Sequence, residues 1–353
     1  MPERTGGKTL AEGKRDTGSL DTVVEVDPTS GKFKLRLPGK LAGIAGRNLA
    51  KAVEMAFAGF APALYRRAVN GTLQSRLDSA MVDQMCQAIE NPDDRVLAAA
   101  LLRQSLISQA QKAESRAEVL DLTAHHLAIA GLATRPVKED ISPDFLQHFW
   151  DTADRLSRSE LREIFARILA REIASPDSFS ASTLNLLATL HPRNAQKFEE
   201  LCRMTFNISD LSFVIVSLPK RDKGPLNILG SKTSNRIGEY IDEFGISRED
   251  LLDLQSIGLT RSSGEQEYPQ LHKLYRKHLH VEFAGRTAHL VMDSSSPGGV
   301  YDAVGVISLT PTGRELRSVL VLEPHKDYTY ALMNAYSRIG VTMTLDPLQP
   351  SNA

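Results

Sequence analysis

Residues 141–206 read ISPDFLQHFWDTADRLSRSELREIFARILAREIASPDSFSASTLNLLATLHPRNAQKFEELCRMTF, hold the only Trp of the chain, and carry the spacing of a run of helices. Ser142 before Pro143 is a good N-cap followed by the residue best tolerated in a first helical turn. Phe145, Phe149, Thr152 and Leu156 then recur at helical intervals. Ser157 stands three residues before Glu160, the spacing of a capping box, and Leu161, Ile164, Phe165, Ile168 and Leu169 form the apolar face of a second helix. Pro176 closes it. The Ser and Asp residues of SPDSFSASTL offer caps for a third helix carrying Leu184, Leu187 and Leu190. His191-Pro192 breaks the chain again, and a fourth helix sets Ala195, Phe198, Leu201 and Cys202 against a charged side.

The helix ending ILA-x-E, the PxSFS-x-x-TL cap and the L-x-P-x-x-A-x-x-F helix start make this segment resemble bacterial proteins of the domain-of-unknown-function 2806 family. More distantly it resembles the abortive-infection alpha (Abi-alpha) proteins. With weaker matches on both sides the resemblance extends over most of residues 33–345. It implies no activity that transfers to any residue, and it hints at a role in phage defence or stress response.

At 353 residues with 42% hydrophobic content, the chain is long enough for two or more domains with real cores. Lys and Arg total 42 against 43 Asp and Glu, so no global field draws nucleic acid or anionic lipid. Binding of that kind requires a local patch. Cys86 and Cys202 sit among apolar helical residues, which fits reduced thiols in a cytoplasmic protein.

Residues 1–20 are polar, Gly-rich and without the apolar core of a signal peptide, and they read as a disordered tail. Gly6-Gly7-Lys8-Thr9 has the ending of a phosphate-binding loop but lacks its first Gly and its preceding strand. Residues 21–38 alternate apolar and polar around Asp27-Pro28-Thr29-Ser30-Gly31, as in a hairpin. From Lys40 to Tyr65 the chain is rich in Ala, Gly and Leu. Its longest uncharged run, Met55 to Tyr65, falls short of the roughly 18 residues of a spanning helix. Residues 40–67 suit either peripheral membrane contact or a small-residue helix inside a bundle, and the bundle is preferred. After the Asn91-Pro92 break, residues 95–130 contain neither Pro nor Gly and predict one long helix toward Ile129. Its irregular heptads favour an intramolecular bundle while leaving oligomerisation open. His125 and His126 cannot share a helical face, which argues against a metal pair there.

Beyond Phe206 the pattern becomes mixed. LSFVIVSL over residues 211–218 suits a buried strand. Lys220, Arg221, Lys223, Lys232 and Arg236 follow in a Gly/Pro-punctuated loop, weak candidates for phosphate or nucleic-acid contact that a solvated loop explains equally simply. ISREDLLDLQSIGLT predicts a capped helix ending at Gly258. HLHVEF and AVGVISLT predict two strands, with a long loop from Ala284 to Tyr301 between them, and LTPTGRELRSVL restarts a helix after Pro311. That order resembles a winged-helix module. Its presumed recognition helix carries Glu249, Asp250 and Asp253 with Arg248 as the one cation, which the phosphates of a major groove would repel. A last helix over residues 327–338 and a strand over residues 341–345 close the chain, and residues 347–353 read as a loose tail.

His278, His280 and Glu282 alternate along the strand HLHVEF, so they project from one face and are weak candidates as metal ligands. No G-x-S-x-G, H-E-x-x-H or C-x-x-C motif occurs, and neither cysteine has a neighbouring His. The expectation is therefore a mainly α protein: a helical bundle over residues 39–205 followed by a winged-helix-like α+β domain over residues 206–346. Its expected role is that of a non-enzymatic interaction or regulatory protein, with a protein partner or its own copies as ligand and no cofactor. A nucleic-acid-binding protein and a metal-dependent enzyme are the alternatives.

Overall fold

In the computed structural model of the chain, residues 24–26, 33–35, 44–57, 86–87, 89, 91–129, 139–155, 159–208, 211–218, 235–236, 241–262, 278–292, 305–338 and 340–347 are described. The proposed tail at 1–20, the basic loop at 220–232, most of the hairpin and the capping box at Ser157 lie outside them.

Helix starts follow the caps. Ser142 is extended and its hydroxyl accepts the Phe145 N–H, Ser180 does the same for Thr183, and the His191 ring accepts the Arg193 N–H. The described helices are α1 (Ile44–Phe57), α2 (Pro92–Ile129), α3 (Pro143–Ala153), α4 (Ser159–Ala174), α5 (Ala181–Thr189), α6 (Pro192–Cys202), α7 (Arg248–Ser256), α8 (Pro311–Arg317) and α9 (Lys326–Arg338). The chain is thus rich in helix, and α2 is the single long helix that the Pro-free and Gly-free stretch predicted.

Trp150, Phe149, Phe165 and Leu169 are fully buried, and Phe149 meets the Trp150 and Phe165 rings at 4.9 and 5.2 Å between centroids. Arg116 of α2 reaches into this region. It makes a two-point ion pair with Asp154 at 2.7 and 2.9 Å, donates to the Ala56 carbonyl of α1, and lies over the Trp150 ring. The apolar face of α1 is also interior, with Ala45, Leu49, Ala52, Val53, Ala56 and Phe57 all buried. Buried Asn48 fastens α1 by donating to the carbonyls of Ile173 and Glu139 and accepting the Ile141 N–H. Lys51 donates to the Ile141 carbonyl. Among the described residues, no helix is long and apolar enough to cross a membrane.

The strands are β1 (Val24–Val26), β2 (Phe33–Leu35), β3 (Phe206–Ile208), β4 (Leu211–Leu218), β5 (Asn235–Arg236), β6 (Thr260–Ser262), β7 (His278–Phe283), β8 (Arg286–Met292), β9 (Gly305–Leu309) and β10 (Val341–Leu345). β1 and β2 pair antiparallel, with Val24 opposite Leu35. The others form an antiparallel sheet in the order β10-β8-β7-β3-β4-β9-β6, with β5 paired to β4. One expectation is corrected here, and the strand order is new. The stretch after Ala284 is not all loop, because Arg286–Met292 forms β8 behind a two-residue turn with Ala284 at φ 45° and Gly285 at φ 81°. HLHVEF and the strand within AVGVISLT are not neighbours, since β3 and β4 lie between β7 and β9.

The middle of the sheet is aromatic. Phe206 pairs in register with both Phe213 and Phe283, and the three rings form a continuous series, its centroid spacings 5.9 and 4.7 Å. Tyr328 of α9 packs over Phe283, and its hydroxyl donates to the Ile215 carbonyl and accepts the Ile215 N–H beside the β4 bulge. One cluster of buried apolar residues runs from Ala45 of α1 to Met343 of β10, so helices and sheet share a core.

Candidate functional site

Where the C-terminal end of α4 meets the sheet, a cavity of about 560 Å³ opens between Arg171, Arg314 and Arg317 on the helices and Asn207, Ser212 and Glu282 on the strands. Gly285 of the β7–β8 turn and the segment after α8 complete it. Arg314 and Arg317 are three residues apart on α8, which puts them on adjoining turns of one face. Arg171 arrives from α4 and donates to the Ser318 carbonyl at 2.6 Å, satisfying a backbone acceptor at the end of α8.

Arg317 is 94% buried and donates from Nη2 to Glu282 at 2.8 Å, while its Nε is buried without a protein acceptor. Asn207 donates to the other Glu282 oxygen at 3.0 Å and accepts from the Ser212 hydroxyl. Burial pushes the Glu282 carboxyl up, but the Asn207 hydrogen bond and the Arg317 charge outweigh it and hold the group below the ordinary glutamate value. Glu282 is therefore an anchored carboxylate, neutralising one of three guanidinium groups.

The residues that carry the sequence resemblance lie next to this cavity and are held by two other carboxylates. Glu172, the last residue of ILA-x-E, is buried and accepts the backbone N–H groups of Asp177, Ser178 and Phe179 at 2.7, 3.0 and 3.2 Å. This folds the PxSFS turn, including Asp177 at φ 64°, back onto the end of α4. Burial nonetheless pushes the Glu172 carboxyl up to about 7. Glu315 of α8 then accepts the Ser180 N–H, the Ser180 hydroxyl and the Thr183 hydroxyl, tying the start of α5 to the helix that bears Arg314 and Arg317.

The metal candidates separate. His280 and Glu282 share a face of β7, but Glu282 turns to Asn207 and Arg317, whereas His280 meets its cross-strand partner His289, Nδ1 to Nδ1 at 2.6 Å. His289 passes its other ring nitrogen to Asp346 at 2.6 Å. His278 begins β7, and its side chain lies outside the described residues. Among the described residues no group of three His, Cys, Asp or Glu side chains is disposed to hold a metal ion. Of the basic candidates only Arg236 falls on a described element, β5; Lys220, Arg221, Lys223 and Lys232 do not. On α7, Asp250 closes a capping box with Ser247 and pairs with Arg193 at 3.0 Å, so one of its three acids is structural. His126 pairs with Glu163 at 2.8 Å, and both cysteines are buried free thiols.

Sequence reasoning did not find Arg171, Arg314 and Arg317. The available hint was the three-residue spacing of Arg314 and Arg317 behind LTPTG; nothing local joins them to Arg171.

The architecture is that of an α+β protein whose helices cover an antiparallel sheet, with an arginine-lined cavity at their junction. The family model described as Protein of unknown function (DUF2806) matches residues 103–333, well over half of the chain, and the chain belongs to that family. No curated protein and no solved structure matches it significantly.

Proposed function

We propose that this chain is a non-enzymatic interaction protein that associates with a second copy of itself through the N-terminal half of α2. The observation that carries this reading is the exposure of Val96, Leu97, Leu101 and Ile107, at 71, 60, 59 and 47%. The C-terminal half of the same helix is buried through Ala113, Val119, Leu120, Ala124 and Leu127. Ala98, Ala99, Leu102 and Leu106 of the N-terminal half pack with Cys86 and Ile89, so that half is apolar on two sides and only one has a described partner. A helix with apolar residues on two sides is normally covered on both.

A second copy suits the open side. Val96 and Ile107 stack about three turns apart, with Leu97 and Leu101 beside them. Antiparallel pairing of two such segments about residue 102 sets Leu97 opposite Ile107 and brings Asp93 near Lys112, a self-complementary two-fold contact. Resemblance to abortive-infection proteins makes phage defence or stress response the proposed setting, and assembly is the regulated event. In the same reading α1 to α6 form the helical bundle, and α7, β6, β9 and α8 supply the helix, paired strands and closing helix of a winged-helix-like unit used for packing. Supporting this is the pairing of β6 with β9 and the seating of Thr310 on the Gly258 and Leu259 carbonyls.

Light scattering on the full chain tests the assignment. The expected result is a dimer that Leu97→Glu with Leu101→Glu converts to monomer while helical content and melting temperature hold. A wild-type chain monomeric at about 100 μM, a concentration that would populate a dimer of micromolar Kd, overturns it.

A further inference from the structure

Toward the β10 end of the sheet, on its outward face, three side chains from neighbouring segments stand in a row. His280 of β7 lies opposite His289 of β8, their Nδ1 atoms 2.6 Å apart and their rings nearly perpendicular. His289 meets Asp346, just past β10, through Nε2 at 2.6 Å. Asp346 is itself fixed, since its N–H donates to the Thr287 carbonyl and its own carbonyl accepts from Arg286. A carboxylate only accepts, so the proton of a neutral His289 ring sits on Nε2, and its Nδ1 carries a lone pair aimed at His280. His280 is exposed, and among the described residues its ring has no polar partner besides His289.

From this arrangement we infer that His280 and His289 chelate a late first-row divalent metal ion of the copper(II) or nickel(II) class, with Asp346 as the positioning residue that orients His289 from behind. Imidazole nitrogen suits these ions, which complete a square or tetragonal shell with water. Two nitrogens on one metal, each bonded at about 2.0–2.1 Å, stand roughly 3 Å apart. The present 2.6 Å is slightly tighter, so His280, the exposed ring, swings outward to admit the ion while Asp346 keeps His289 in place. His280 moves its ring proton from Nδ1 to Nε2 in the same step, and no net proton is released. The strand register holds both rings at one position of the sheet, so the second imidazole binds at an effective concentration of roughly millimolar or above. Glu282, on the same face of β7, is held by Asn207 and Arg317, which leaves magnesium and calcium without the several oxygen ligands they need. Two protein ligands make an exchangeable site, filled by added metal and emptied by chelators, in keeping with the absence of a three-ligand group among the described residues. Occupancy would staple β7 to β8 and, through Asp346, to the end of β10, and the site stands whether or not α2 self-associates.

The test is calorimetric titration of the chelator-treated full chain with copper(II), nickel(II) and magnesium chlorides, joined to electron paramagnetic resonance of the copper-loaded form. One copper(II) per chain should bind with a Kd below about 100 μM, nickel(II) more weakly and magnesium not at all, and the copper spectrum should show nitrogen ligation. His280→Asn and His289→Asn should each weaken binding about tenfold or more, since a single imidazole lacks the chelate gain. Asp346→Asn should weaken it about tenfold without removing a ligand, the effect of losing an orienting group. His125→Asn should bind as the wild type does, although His125 is also exposed and lies beside His126, their ring centroids 6.0 Å apart. The inference is overturned by absence of saturable copper(II) binding below about 100 μM, by wild-type affinity in His280→Asn, His289→Asn or Asp346→Asn, or by loss of binding in His125→Asn.

Discussion

Glu172 shows how one side chain can define a segment. Its carboxylate gathers three backbone N–H groups that the PxSFS turn would otherwise leave without acceptors, and it does so at 1% exposure. The two effects oppose each other: the N–H donors favour the charged form, burial favours the neutral one, and burial prevails, raising the carboxyl from 4.5 to about 7. A raised folded-state value means that the folded chain binds this proton more tightly than the unfolded chain. The stabilisation it brings is complete below about pH 4.5 and is lost as pH climbs through about 7. Urea midpoints of the wild type and Glu172→Gln should therefore diverge across that window, with the wild type losing ground as pH rises. A pH-independent difference would show that the three donors hold the group at its ordinary value.

At the scale of elements, α8 depends on the absence of a single methyl group. Gly313 lies so close to α7's exit that a Cβ there would stand 2.2 Å from the Leu259 carbonyl oxygen, the same oxygen that accepts the Thr310 N–H. Thr310 in turn caps α8 by accepting the Gly313 N–H at 3.0 Å. Gly313→Ala gains helix propensity, about 1 kcal/mol at most, but must push α8 away from this seat. The seat should win: chemical denaturation is expected to show a net loss of about 1–3 kcal/mol, as in other overpacked sites. Unchanged or improved stability would mean that α8 can move freely, which would also loosen Arg314 and Arg317.

For the molecule as a whole, charge near zero and the acidic surface of α7 predict weak contact with nucleic acid. Duplex DNA at physiological salt should bind no better than about 100 μM, the non-specific level. The separation of His280 from Glu282 by their different partners likewise predicts far less than one zinc or iron per purified chain. Submicromolar, steeply salt-dependent DNA binding in a fluorescence titration would return the basic residues at 220–236 to the centre of the function. Stoichiometric metal by elemental analysis would do the same for His278 and His280.

Local chemistry was enough to place most helices, because caps and breakers act within a few residues: Ser142, Ser180, His191 and Thr310 all begin helices, and the Pro-free run from Arg95 lies in one helix that starts at Pro92. The inward face of α3 and α4 was equally legible, since helical periodicity alone assigns Phe149, Phe165 and Leu169 to one side. The longer strands were visible as apolar runs, except β8, where RTAHLVM has no clean alternation; β3, β5 and β6, two or three residues each, were too short to show a period. Strand order was not legible, because pairing between β7 and β3, some 75 residues apart at Asn207 and Glu282, is decided by which faces fit the shared core rather than by any local signal. The arginine-lined cavity belongs to the same class of fact. Arg171 and Arg314 come together only because Glu315 binds the Ser180 turn and Arg171 binds the end of α8, contacts spanning 135 and 147 residues. The sequence by itself determined most of the described helices and their buried faces through short-range capping and periodicity; tertiary packing decided the short strands, their order, and which distant charges became neighbours.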